Sequence, residues 1–86
     1  MQPTADIISL LRSQSGSFPN REQLVADYVS ENLEAVTTIA LSDLASNVGV
    51  SEPTVIRFCR TLGCDGFRDF KMRLAQNLAV SMQYLT

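Results

Sequence analysis

The chain of 86 residues is long enough for one small domain or for a piece of a longer protein. Its composition, 45% hydrophobic with four glycines and three prolines, is typical of a helical globular domain. No apolar run approaches the roughly 18 residues of a membrane span, and an acidic residue precedes the first apolar cluster, unlike in a signal peptide, so we expect a cytoplasmic protein. Because the sequence has no histidine, no recognisable pair of carboxylates and no glycine-rich phosphate loop, we expect neither an enzyme nor a bound metal or cofactor.

The net charge of −2 conceals an uneven distribution of charged residues. Residues 1–50 contain two basic and six acidic residues, whereas residues 51–86 contain five basic and three acidic residues. The five basic residues of the second part all lie between Arg57 and Arg73. This local excess of positive charge favours a polyanionic partner in spite of the negative total.

The first predicted helix is short and strongly apolar. Its apolar residues follow the i, i+3, i+4 spacing of a helix face; Thr4 is the predicted N-cap, and the polar run to Gly16 ends the helix. Four apolar residues within five exceed the needs of one buried stripe, so we expect part of this helix to pair with a second copy of the chain. These four residues are Ile7, Ile8, Leu10 and Leu11.

A second helix is predicted after Pro19, where Asn20 is able to cap and Gln23 completes a capping-box spacing. Its predicted apolar stripe comprises Leu24, Val25, Tyr28 and Val29. Residues 31–40 are less regular and predict only a short helical turn.

Two short helices joined at Gly49 follow. Gly49 is suited to the left-handed conformation that ends a helix, Ser51 is a preferred N-cap, and Pro53 suits the first turn of the next helix. A connection of three or four residues containing a glycine predicts a helix-turn-helix motif. The apolar residues of the two helices are expected to face each other across this corner: Leu41, Leu44, Ala45 and Val48 on the first, and Val55, Phe58, Cys59 and Leu62 on the second, which Gly63 closes.

The second of these helices, about residues 52–62, has two different faces. At about 100° per residue, Arg57 and Arg60 point away from the apolar stripe, with Thr54 and Thr61 beside them. An outward face of arginines and hydroxyls suits guanine edges and phosphates. A merely solvated face is the ordinary alternative, but the turn geometry and the basic residues downstream favour contact with DNA.

A last helix is predicted from near Gly66, with Phe67, Phe70, Leu74, Leu78 and Leu85 along one stripe. At this spacing the two phenylalanines are expected in the core rather than stacked on bases. The whole chain is therefore predicted to be all-α, a bundle of five to six helices. Cys59 is expected in the core and Cys64 in a loop, both reduced, with a redox switch left open as a hypothesis.

The segments "VSEPTVIRF", "LG" and "GFRDFK", with "VADYV" and "EN" upstream, resemble the N-terminal DNA-binding domain of RpiR-type bacterial transcription regulators, including hexose-metabolism repressors. The resemblance covers about residues 22–78. It implies a helix-turn-helix domain over residues 1–80, and a linker beginning at 81–86 that leads to a C-terminal sugar-isomerase-like domain outside this sequence. That C-terminal domain would bind a phosphosugar effector and close a homodimer. The two DNA-binding domains of the homodimer would bind double-stranded DNA at a pseudo-palindromic operator, as a repressor or activator.

Carried over residue by residue, the resemblance implies that Ser51, Thr54 and Arg57 lie nearest the bases, while Arg60, Arg68 and Lys71 contact phosphates. Thr61 lies beside the arginines on the same face. Glu52 can accept a hydrogen bond from a cytosine amino group or can simply stabilise the helix N-terminus.

The chain departs from the family pattern at two positions. Ala40 stands where a serine cap is common, so the first helix of the motif is expected to begin at Ala40 or to be capped by Ser42. Arg21 stands where a small polar residue is commoner. An interaction module that presents the same surface to an acidic protein remains the alternative to a DNA-binding domain.

Overall fold

The computed structural model describes residues 6–85, and side chains of its last helix as far as residue 79. Six helices make up this part of the chain, which contains no strand, and the predicted all-α class is confirmed. None of the helices in the described range is both long and apolar enough to cross a membrane. In chain order the helices are α1 (Ile7–Ser13), α2 (Asn20–Glu31), α3 (Leu33–Val36), α4 (Leu41–Val48), α5 (Glu52–Thr61) and α6 (Phe67–Leu85).

The N-cap of α1 is Asp6, whose carboxylate accepts a hydrogen bond from the Ser9 N–H at 3.2 Å. The predicted cap, Thr4, lies outside the described residues. Ile7 and Leu11 are buried, and Ile8 and Leu10 are half-buried against the core. The surface that α1 leaves free is therefore smaller than its sequence suggested.

The capping box predicted for α2 is wrong. Pro19 is the N-cap, Asn20 is already the first helical residue, and no side chain caps the helix. Gln23 instead accepts a hydrogen bond from the Gly16 N–H at 2.8 Å, which ties α2 to the turn that follows α1.

The buried face of α2 is also rotated from the predicted stripe. Leu24 is 49% exposed, whereas Val25 and Val29 are fully buried. Glu22 and Ala26 complete the buried face at helical spacing. A charged residue therefore points inward where the sequence predicted a purely apolar stripe.

The core extends from α1 to α6 around Phe58. The Phe58 ring lies 5.4 Å from the Phe18 ring and 5.6 Å from the Phe70 ring, the latter edge-to-face. Phe70 and Leu74 are buried as predicted, and Phe67 and Leu78 are half-buried against the core. Phe18, in the loop between α1 and α2, has no helical period to reveal it.

Helix α6 connects the N-terminal helix α1 to the rest of the domain. It packs against α1, α3 and α5, and the Ile8 N–H donates to Asn77 Oδ1 at 3.0 Å. The helix continues to Leu85, past the predicted boundary at residue 80, and the side chain of Leu85 lies outside the described part. The division into a domain and a linker stays a prediction.

Candidate nucleic-acid interface

The corner between α4 and α5 is built as the sequence predicts. Gly49 adopts the left-handed conformation, with φ +90°, and its N–H donates to Ala45 O at 2.8 Å. Val50 N–H donates to the same oxygen at 3.0 Å. Ala40 is the N-cap of α4 without any side-chain hydrogen bond, one of the two arrangements expected there.

The leading end of α5 is closed by a pair of hydroxyls. Ser51 is the N-cap and accepts a hydrogen bond from the Thr54 N–H at 3.4 Å, and the Ser51 and Thr54 hydroxyl oxygens lie 2.9 Å apart. Pro53 lies in the first turn, where its missing N–H has no intrahelical partner to lose. Ser51 and Glu52 are both exposed at this end of the helix.

The outward placement predicted for Thr54 is wrong, because this residue is only 2% exposed. Its hydroxyl faces Ser51 on one side and accepts a hydrogen bond from Arg57 Nη2 at 3.4 Å on the other. In this arrangement Thr54 orients its neighbours. Its contact with a base stays a prediction and requires these hydrogen bonds to rearrange.

Arg57 is the central residue of the outward face of α5. Its side chain is 64% exposed, and its Nε lies 3.9 Å from Glu22 Oε2. Thr61 Oγ1 lies 2.9 Å from both Glu22 Oε1 and Arg57 O, so its hydroxyl proton links the two. The structure thus brings together three predicted residues, Thr54, Arg57 and Thr61, with one that was not predicted.

Glu22 was missed because it lies 35 positions before Arg57 along the chain. The sequence does contain one signal: Glu22 precedes Val25 and Val29 by three and seven residues, and therefore lies on the buried stripe of α2. A charged residue at such a position needs a polar partner, which another helix must provide.

The remaining basic residues differ in how freely their charges face solvent. Arg60 and Arg68 are exposed, and Arg60 Nε donates to Asp65 O at 3.3 Å. Lys71 is half-buried; its Nζ donates to Ile39 O at 2.9 Å and lies 4.8 Å from the centre of the Phe67 ring. Lys71 therefore ties α6 to the segment between α3 and α4. Its predicted contact with a phosphate stays open.

Arg73 is engaged within its own helix. Its Nε lies 3.3 Å from Asp69 Oδ2, one turn earlier, and Asp69 also accepts the Asp65 N–H at 2.9 Å. This backbone hydrogen bond, followed by Arg73, holds the pKa of Asp69 below its usual value. Arg73 is thus less available to a polyanion than Arg60 or Arg68.

The two thiols are free and buried. Burial, and secondarily the nearby Cys64, raise the pKa of Cys59 to about 12, and burial also raises the pKa of Cys64. Cys64 lies in the loop after α5, as predicted, and its N–H donates to Cys59 O at 3.0 Å. Protonated, buried thiols of this kind react slowly, and the redox switch stays a hypothesis. Among residues 6–85, no cluster of three or more His, Cys, Asp or Glu side chains could hold a metal ion.

These features define a helix-turn-helix domain. The first helix ends at a left-handed glycine, a three-residue turn follows, and the second helix is capped by a serine and carries exposed arginines. The family model described as "Helix-turn-helix domain, rpiR family" matches residues 5–81. The chain belongs to the rpiR family of helix-turn-helix domains, and the resemblance seen in its sequence is confirmed.

Proteins similar to this chain include bacterial transcriptional regulators. An uncharacterized HTH-type transcriptional regulator of Caldanaerobacter subterraneus subsp. tengcongensis is 39% identical over 74 residues, which are 86% of this chain and 26% of that protein. The HTH-type transcriptional regulator HexR of Pseudomonas aeruginosa is 33% identical over 81 residues, which are 94% of this chain and 28% of that protein. The chain thus spans about a quarter of the length of these relatives.

Solved structures agree with this assignment. The N-terminal domain of the transcriptional regulator ybbH from Bacillus subtilis superposes with a TM-score of 0.82 at 29% identity, covering 88% of this chain and 93% of that one. The Vibrio vulnificus NanR protein, solved in complex with ManNAc-6P, superposes with a TM-score of 0.83 at 38% identity, covering 92% of this chain and 30% of that one. The chain is therefore a domain of the kind found in transcriptional regulators.

Proposed function

We propose that this domain binds double-stranded DNA sequence-specifically, with α5 in the major groove, as part of a cytoplasmic bacterial regulator of carbohydrate metabolism. The observation that carries the proposal is the outward face of α5. Ser51 caps its leading end, Arg57 lies exposed two turns further on, and the opposite face holds Phe58 rigidly in the core. A guanidinium on a rigid helix can make paired hydrogen bonds to a guanine edge.

Phosphate contacts are proposed for the more peripheral cations. Arg60 and Arg68 are exposed, and Lys71 lies on α6 with Arg68. Such contacts supply affinity without sequence information, because every duplex presents the same phosphates. Thr61 is proposed to keep Arg57 in place. Glu52 is proposed to stabilise the start of α5 or to accept from a cytosine amino group.

The regulatory signal is proposed to come from a phosphosugar bound by a C-terminal sugar-isomerase-like domain, into which residues 81–86 would lead. The ManNAc-6P complex of NanR supports this class of ligand. The part of the chain described here supplies the DNA contact.

A homodimer is proposed as the DNA-binding unit, because two copies of α5 related by two-fold symmetry match a pseudo-palindromic site. Ile8 and Leu10, half-buried on α1, are the proposed contact. Sedimentation of the chain at tens of micromolar, a concentration suited to weak dimers, should reveal a dimer that Ile8→Asp removes while the variant still melts cooperatively. A purely monomeric parent chain would contradict this contact.

The function is tested by selecting bound sequences from a library of random duplexes and then titrating salt against the selected and scrambled duplexes. A DNA-reading domain enriches one sequence and keeps its preference as salt weakens all binding. Weak binding without any enrichment contradicts the proposal. It would favour the alternative, in which the same arginine-bearing surface binds an acidic protein.

A further inference from the structure

Glu22 has no role in the proposed DNA contact, yet it meets the centre of that surface. It lies in the first turn of α2, is only 7% exposed, and directs its carboxylate towards α5. Burying a carboxylate is costly unless it is paired and hydrogen-bonded. Here both requirements are met by residues of the outward face of α5.

The two carboxylate oxygens of Glu22 have different partners. Oε1 accepts a hydrogen bond from Thr61 Oγ1 at 2.9 Å, whose single proton is shared with Arg57 O. Oε2 lies 3.9 Å from Arg57 Nε. Because the other end of the same guanidinium donates to Thr54 Oγ1 at 3.4 Å, Arg57 is held from two sides.

This arrangement has a directional consequence. The Nε edge of the guanidinium faces Glu22 and Nη2 donates to Thr54, which leaves the Nη1 donors of this 64% exposed side chain for a base edge. The adjacent negative charge also offsets part of the attraction of Arg57 for phosphates, which is the component of binding that ignores sequence.

We infer that Glu22 is a positioning residue that determines specificity in this domain: it orients Arg57 for a base edge and suppresses its sequence-independent attraction to phosphates. The inference rests on the proposed DNA-binding function of α5. A merely structural role for Glu22, as a satisfied buried carboxylate or a favourable charge at the start of α2, gives different results in the following experiment.

The experiment compares Glu22→Gln with Glu31→Gln in the intact 86-residue chain. Glutamine can still accept from Thr61 but removes the charge beside Arg57. Glu31 is an exposed glutamate on the same helix, about 13 Å from Glu22 along the helix axis. The probes are the duplex that the parent chain selects from a random library and a scrambled duplex of the same composition.

We expect Glu22→Gln to bind the scrambled duplex several-fold more tightly, with a steeper dependence on salt, because the full charge of Arg57 becomes available to phosphates. The ratio of selected to scrambled affinity should fall about tenfold, equivalent to one lost base-specific contact. Glu31→Gln should leave that ratio and the salt dependence near the parental values. Equal behaviour of the two variants overturns the inference.

A double mutant separates positioning from structure. In the background Arg57→Ala, Glu22→Gln should cause no further loss of selectivity, since the residue it positions is gone. A further loss of similar size overturns the inference. If Glu22→Gln melts below the assay temperature, Glu22→Asp replaces it, and unchanged selectivity of that variant overturns the inference too. A parent chain that selects no sequence overturns the proposed function itself, whereas a selective parent with a selective Glu22→Gln variant overturns only the role of Glu22.

Discussion

Arg57 and Phe58 are adjacent residues with opposite surroundings. The Arg57 side chain is 64% exposed, whereas Phe58 is fully buried between two other aromatic rings. Recognition and folding are therefore expected to separate at this peptide bond. A substitution on one side should alter binding alone, and one on the other should alter the free energy of unfolding.

Arg57→Lys should change the free energy of unfolding by no more than about 0.5 kcal/mol, because exposed ion pairs contribute little. It should cost about 1 to 3 kcal/mol of discrimination at one base pair, because lysine lacks the planar fork. Phe58→Ala should do the reverse and cost about 3 to 5 kcal/mol of stability through a core cavity. Thermal melting measures the stability of each variant, and binding to the selected and single-mismatch duplexes measures its discrimination between bases. Parental discrimination in Arg57→Lys would exclude base reading by Arg57.

Arg68 and Lys71 were both predicted to contact phosphates, but their surroundings differ. Arg68→Ala should weaken binding to all duplexes equally, lower the salt slope by about one unit and leave melting unchanged. Lys71→Ala should in addition cost about 1 to 2 kcal/mol of stability, because it removes the donor to Ile39 O and the cation over Phe67. Identical melting of the two variants would show that the Lys71 contact contributes nothing to folding.

At the scale of elements, the angle between α4 and α5 depends on three residues of turn. Gly49 has φ +90° and an added Cβ there would meet nothing within 4 Å, so any penalty comes from the backbone alone. Gly66, just before α6, also has open space around a Cβ but is not in the left-handed region. Gly66 therefore serves as the control position for a substitution of Gly49.

Gly49→Ala should lower the free energy of unfolding by about 1 to 2 kcal/mol, the cost of placing a side chain in the left-handed region. Gly66→Ala should cost less than Gly49→Ala, because the backbone of Gly66 lies outside the left-handed region and only the weaker N-cap preference for glycine over alanine is lost. Urea unfolding of the two variants beside the parent chain measures the difference. Equal losses at both positions would mean that the turn after α4 does not require a glycine.

Burial of the Cys59 thiol makes the free energy of unfolding of the whole molecule depend on pH in the alkaline range. Its pKa is raised from 9.0 to about 12 in the folded chain by burial. In the unfolded chain the thiol ionises at the ordinary value and releases its proton first. The contribution of the neutral, buried thiol to the free energy of unfolding is therefore fully present below pH 9. It is lost as the pH rises from about 9 towards 12.

We expect the free energy of unfolding to decline by about 1 kcal/mol per pH unit above pH 9 on account of this thiol. Cys59→Ala should be less stable at pH 7 because of the cavity, but its alkaline decline should be shallower than that of the parent chain. Urea unfolding between pH 7 and 10.5 tests this, within the range where proteins remain intact. Parallel pH profiles would exclude Cys59 as the source of the decline.

The helices, the corner between α4 and α5, and the family all follow from local patterns in the sequence. Gly49, Ser51 and Gly63 act through bonds to residues three to five positions away, so their local sequence is sufficient. The core positions of α4, α5 and α6 likewise follow from a helical period. For this reason the helix-turn-helix motif and most of its buried residues could be predicted from the sequence.

The partners of Glu22 and Lys71, in contrast, lie on elements that are distant in sequence. Glu22 meets Thr61 across 39 positions, and Lys71 meets Ile39 across 32. Thr54 is buried by its neighbours although its position on the helix predicted exposure. No local pattern encodes such pairs, because which helix packs on which face depends on the closure of the whole core. The chemistry of the proposed DNA surface is therefore set jointly by α5 and by α2, which precedes it by some twenty residues.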